Sequence, residues 1–170
     1  MTDPVLTDSQ IEELIHRAKP LPEGWRKRLR LRQHKGEAHK RAELQIDSNT
    51  EVFVIKCRQN SNNPLDFSII LVYKGKTGCE YRLLRCNGKH PSQHTHRWER
   101  DYGREGATFG PSFHVHRATE RYQEAGLDID GFAEPTDAYS DYFTGLEHFA
   151  QAGCFVDPER PKPDMFGDFR

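Results

Sequence analysis

The sequence predicts an α+β domain, an antiparallel β-meander of five or six strands with an N-terminal and a C-terminal helix packed on it. Three observations predict this. Between residues 26 and 86 lie five short strand-like runs joined by turn residues, two of them alternating apolar with polar side chains as half-buried strands do. At both ends of the chain the apolar spacing changes to three and four, the period of an amphipathic helix. The 170 residues, 35% of them hydrophobic, are enough for one domain with its own core. The expected units are a single domain over 1–156 and a Pro-rich charged tail over 157–170.

Thr7 to Ala18 reads as the first helix. Thr7 is the N-cap, Gln10 completes a capping box, and Ile11, Leu14 and Ile15 share a face. Lys19-Pro20-Leu21-Pro22 ends it. Arg26 to Arg32 alternates Arg with Leu and reads as a strand carrying Arg26, Arg28, Arg30 and Arg32 on one face. Ala42, Leu44 and Ile46 mark the second strand. Asp47-Ser48-Asn49 supplies turn chemistry, and Val52 to Arg58 is the third strand. Phe67 to Tyr73, the most apolar run, is the central one. Lys74 to Gly78 turns into Cys79–Cys86. Phe113-His114-Val115-His116 reads as a sixth strand with both histidines on one face. Thr136 to Ala152 is the closing helix, capped by Thr136 or Asp137 and ended by Gly153.

Composition narrows the function classes. The longest apolar run, Ile69 to Val72, is too short to span a bilayer. The opening MTDPVLTDSQ lacks the basic and apolar regions of a secretory signal, so a cytoplasmic protein with no membrane partner is expected. Its four cysteines form no C-x-x-C pair and are expected to be reduced. Cys86 with His90 is one conceivable zinc-binding pair. The net charge of −1 hides an asymmetry. Residues 25–59 carry ten Lys/Arg against four Asp/Glu, and residues 119–170 carry four against twelve. A basic middle points to an anionic partner such as RNA, or to the chain's own acidic third.

Five of the nine histidines lie between Asn87 and Thr119. Gly88, Pro91, Gly103, Gly106, Gly110 and Pro111 mark most of that stretch as a long loop, which in a compact domain is usually functional or mobile. Three readings compete. His94, His96, His114 and His116 could converge on one Zn²⁺. Alternatively, two histidines could act as base and acid on an RNA phosphodiester, needing no metal or other cofactor. Arg85 or Arg117 would then stabilise the phosphate, Asn87 would orient a histidine, and Trp98 and Tyr102 would stack bases. Arg97 and the arginine strand would add backbone contacts. The third reading is a polar loop on a non-catalytic protein- or nucleic-acid-binding module.

The order "RCNGKH", "FHVH" and "YSDYFTGLEHFAQAGCF" resembles a bacterial family of small proteins of unknown function. They share an R-x-N-G-x-H segment, a later H-x-H strand and a closing helix rich in Tyr, Leu and Phe. More loosely it looks like the toxin halves of toxin–antitoxin modules. The resemblance covers residues 5–156 and implies a site at Arg85, Asn87, Gly88, His90, His114 and His116. Together these readings lead to an expected toxin-like, metal-independent endoribonuclease. His114 and His116, or one of them with His90 or His94, would be its acid–base pair. RNA, and a cognate antitoxin, would be its partners.

Overall fold

The computed structural model describes residues 4–101, 103 and 108–159. In chain order its elements are α1 (Asp8–His16), β1 (Lys19–Pro20), α2 (Trp25–Arg28), β2 (Arg32–Gln33), β3 (His39–Ser48), β4 (Glu51–Asn60), β5 (Phe67–Lys74) and β6 (Glu80–Asn87). They continue with β7 (His94–Thr95), α3 (Arg97–Asp101), β8 (Thr108–Phe109), β9 (His114–Arg117), α4 (Glu120–Glu124), β10 (Phe132–Pro135), α5 (Tyr142–Ala152) and β11 (Phe155–Val156). The main sheet is antiparallel throughout, in the order β10-β9-β6-β5-β4-β3-β2. β9, beside β6, is the expected sixth strand, and β10, paired beyond it, brings the sheet to seven. The meander itself is present from β2 to β6.

One strand is corrected. Arg26 to Arg32 does not run as an extended segment. Trp25 and Leu29 are both buried, a spacing of four that one helical turn satisfies and strand alternation does not. Gly24, at φ 67, starts that turn. Arg26 and Arg28 fall in α2, Arg32 falls in β2, and all four arginines are exposed. They do not line up on one strand face. The acid opposite Arg26 is the start of the tail. Its guanidinium pairs with Asp157 at 2.6 Å and Glu159 at 2.8 Å, and Trp25 donates to Asp157. The remaining tail, residues 160–170, lies outside the described residues.

Thr7 and Gln10 form the expected capping box on α1. The closing helix starts later than expected, because the residue that caps its first turn is Asp141, paired with Thr144. α1, α2 and α5 cover one face of the sheet. Ile11, Leu14, Ile15, Trp25, Leu29, Tyr142 and Phe149 pack there against Phe53, Ile55, Phe67, Ile69, Leu71 and Cys86. Gly145 lets α5 approach closely; a Cβ there would meet the Phe67 ring at 3.1 Å. Lys19 is fully buried, and its ammonium donates to the carbonyls of Ile15, Arg17 and Gly153 at 2.7–2.9 Å. It ties the C-terminal end of α1 to that of α5. Among the described residues, no helix is long and apolar enough to cross a membrane.

A β-bulge decides what the other face carries. Leu71 pairs with Leu84 and Val72 with Arg82, so Leu83 is an extra residue in β6. Its carbonyl accepts from the Ala118 N–H at 2.9 Å. One inserted residue exchanges the faces of every later side chain. Beyond it, Leu84 and Cys86 point into the helix-covered core, and Arg85 and Asn87 point away.

Candidate metal centre

Arg85 and Asn87 meet histidines on that second face because of register. Arg85 pairs with His116 and Asn87 with His114 across β6 and β9. His114, His116 and Asn87 are 1%, 2% and 3% exposed. The loop after Asn87 covers them. Gly88 makes this possible: a Cβ on it would lie 1.9 Å from the Leu65 carbonyl oxygen, which accepts from the Lys89 N–H at 2.7 Å. The chain then returns His90 and His94 over the sheet. β7 pairs with β8, setting His94 opposite Phe109, and the two rings stack at 5.3 Å.

Four imidazoles therefore form one cluster, with ring centroids 4.3–5.1 Å apart for His90–His94, His90–His114, His94–His114, His94–His116 and His114–His116. The outer nitrogens of three of them are tied down. His114 Nδ1 lies 2.7 Å from the Ser112 carbonyl, His116 Nδ1 lies 2.8 Å from the Asp130 carbonyl, and His90 Nδ1 lies 2.7 Å from Ser92 Oγ. A carbonyl can only accept, so Nδ1 of His114 and His116 carries the proton and the Nε2 lone pair faces inward. His90 Nε2 and His94 Nε2 lie 3.1 Å apart. The ligand atoms of His90, His94 and His114 all fall within 4.8 Å of one another, close enough to hold one metal ion. Such an arrangement of outward N–H and inward lone pair is how metal-bound histidines are oriented.

Burial holds these imidazoles neutral. It pushes His94 and His114 down to about 4 and His116 further, to about 2, with Arg85 and the neighbouring rings adding to the effect. His90 is lowered as well, again first by burial. Beside them lies Asp130, wholly buried, with Arg85 Nε at 3.1 Å and Arg82 Nε at 3.2 Å from its carboxylate. Arg85 Nη2 reaches His116 Nδ1 at 3.2 Å.

The structure thus brings together His90, His94, His114, His116, Arg85 and Asn87 and separates the other expected residues from them. His96 turns aside, bonds the Ala133 carbonyl through Nε2 and packs on Phe132; in the fourfold set of histidines, His90 takes its place. Strand alternation puts Arg117 on the helix side of β9, within 3.9 Å of Glu12 on α1. Arg97 is exposed on α3, and Trp98 lies against the Arg121 guanidinium. Tyr102 lies outside the described residues. Cys86 sits in the core on the opposite face from Asn87, so it makes no pair with His90. All four cysteines are free thiols. Asp130, Ser92 and Ser112 were not legible as site residues. Two of the three act mainly through backbone carbonyls or loop placement, which no residue type announces. No protein-family model, curated protein or solved structure matches the chain, so the functional reading rests on this geometry.

Proposed function

We propose that this chain is a transition-metal protein in which His90, His94 and His114 bind one ion, most favourably Zn²⁺. The observation that carries the reading is the convergence of three imidazoles, with His90 and His114 held from behind at Nδ1 by Ser92 and the Ser112 carbonyl and His94 held by its stacking on Phe109. Neutral imidazole is the ligand form, so no proton has to be removed before the metal enters. The donors are borderline nitrogen, without thiolate or carboxylate, a set that suits Zn²⁺ and its later first-row neighbours rather than Mg²⁺ or Ca²⁺. In a tetrahedral zinc site with bonds of about 2.0–2.1 Å, neighbouring ligand atoms lie about 3.3–3.4 Å apart. The 3.1 Å between His90 and His94 is already close to that edge. Because His90 and His94 come from the loop and His114 from the sheet, the ion fastens the histidine loop to β9.

A second reading uses the same residues as a metal-independent acid–base pair cleaving RNA, within a toxin-like protein. The grouping of Arg85 with His116, His114 and Asn87 favours it, since base, acid and cation types share one face. It requires one histidine to hold a proton near neutral pH, which burial opposes.

Zinc titration of the metal-free chain, followed by calorimetry, separates these readings when RNA cleavage is measured on the same sample with and without chelator. One tight site, lost in His114→Ala and retained in His96→Ala, supports the metal reading. Absence of a site together with chelator-resistant cleavage would replace it with the acid–base reading.

A further inference from the structure

Asn87 is buried at the centre of the cluster, and its amide is incompletely accounted for. Its Nδ2 lies 3.1 Å from His114 Nε2, 3.3 Å from His116 Nε2 and 3.5 Å from His90 Nε2. A primary amide has two hydrogens, so it cannot serve all three nitrogens. Its Oδ1 is buried and has no hydrogen-bond partner among the described residues. The separations to the two proposed ligands among them, 3.1 Å to His114 and 3.5 Å to His90, bracket the edge of about 3.3–3.4 Å between neighbouring ligand atoms of a tetrahedral site with bonds of about 2.0–2.1 Å. The terminal amide atom therefore occupies a vertex of the shell that the histidines outline.

A neutral amide nitrogen is not a metal ligand, but an amide oxygen is. Turning the Asn87 side-chain amide by half a turn exchanges the two atoms, which are nearly equal in size. We propose that Asn87 is a further ligand of this centre, supplying Oδ1 beside His90, His94 and His114 in a mixed nitrogen–oxygen shell. The inference rests on the metal reading above. It gives the amide two orientations. Without an ion, Nδ2–H donates to the inward lone pairs. With an ion, Oδ1 faces it, because an oxygen set 3.1–3.5 Å from imidazole lone pairs is repelled unless a cation lies between them.

His116 is built to follow that turn as a positioning residue. When Oδ1 replaces Nδ2, His116 Nε2 loses its donor and must become one. Arg85 Nη2, 3.2 Å from His116 Nδ1, can donate to that nitrogen in the other tautomer. The proton then sits on Nε2 and is donated to Asn87 Oδ1. The bond that His116 Nδ1 makes with the Asp130 carbonyl is given up in exchange. The buried Arg85–Asp130 pair thus holds the guanidinium where this second tautomer needs it. The backbone carbonyl of Asn87 is fixed separately, by the Tyr139 hydroxyl that donates to it at 2.9 Å, so only its side chain turns.

Co²⁺ is the probe, because its visible spectrum reports the number and kind of its ligands. The expected result is one Co²⁺ per wild-type chain, with Asn87→Ala binding about tenfold more weakly or worse and showing an altered visible spectrum. Asn87→Asp keeps an oxygen at the same place and adds charge, so it should bind at least as tightly as wild type with a wild-type-like spectrum. Unchanged affinity and spectrum in Asn87→Ala would overturn the ligand role and leave the histidine site standing. If Asn87→Ala does not fold, Asn87→Asp decides: weaker binding than wild type would overturn the role. A wild-type chain that takes up no Co²⁺ would sink the histidine site and this inference together.

Discussion

Tyr139 is where the core of the sheet and the candidate centre meet. Its ring is buried against Phe67, Phe113 and His148. Its hydroxyl lies 2.9 Å from the Asn87 carbonyl and 2.7 Å from the His114 carbonyl. These are the adjacent ends of β6 and β9, and both residues turn their side chains into the cluster from the other face. Tyr139→Phe keeps the ring contacts and removes the donor. One shared hydrogen bond disappears, worth about 1 kcal/mol, and two buried carbonyls are left facing each other, adding about 1–2 kcal/mol. A loss of about 2–3 kcal/mol in a domain of this size lowers Tm by roughly 4–12 °C. The loss should also appear in the site. Asn87 and His114 are no longer held at a fixed separation, so metal affinity should fall about tenfold, the lower end of what outer-shell partners contribute. Thermal melts with and without zinc, and a zinc titration of the same variant, measure both. A Tm within about 1 °C of wild type with unaltered affinity would refute the claim that this hydroxyl braces the two strand ends.

Other consequences follow from the same packing. Gly88→Ala drives a Cβ into the Leu65 carbonyl, 1.9 Å away; it should cost more than about 3 kcal/mol and displace His90, seen as a lowered denaturation midpoint and lost metal uptake. Lys19→Met leaves the Ile15, Arg17 and Gly153 carbonyls without their donor. After the relief of ammonium burial is set against this, a loss of about 3 kcal/mol is expected in chemical unfolding. Burial pushes the Cys57 thiol up to about 11 and Cys86 to about 12. Unfolded thiols ionise first, near 9, so the folded state binds more protons in that window and stability falls as pH rises from 9 to 11. The slope should be shallower in Cys57→Ala/Cys86→Ala, and equal slopes would count against burial as the cause.

Parts of this arrangement could be read from residue types alone. The Thr7–Gln10 cap, the alternation of β3, the apolar run of β5 and the placing of His114 and His116 on one strand face are local patterns, set by period and capping chemistry. The "RCNGKH" stretch located Arg85, Asn87, Gly88 and His90, and the structure gives the glycine its physical reason. What could not be read is what depends on parity and long-range contact. The Leu83 bulge determines that Asn87 faces the histidines and Cys86 does not, and nothing in "EYRLLRCN" signals an inserted residue. The Arg26–Arg32 alternation looked like a strand, but Trp25 and Leu29 needed the same core, and a helical turn delivers both. His94 and His96 have the same spacing as His114 and His116, yet only His94 turns inward. A strand of just two residues and the Ala133 carbonyl separate them. Asp130 contributes through a distant backbone carbonyl and a buried ion pair, neither of which has a sequence signature.

The most direct test of the central claim is X-ray absorption on the chain purified in zinc-containing buffer and dialysed to remove loosely held ion. One zinc per chain is expected, with imidazole nitrogens at about 2.0–2.1 Å and a signal lost in His90→Ala and His114→Ala. A chain that retains no metal, or whose bound zinc survives both substitutions unchanged, would contradict it.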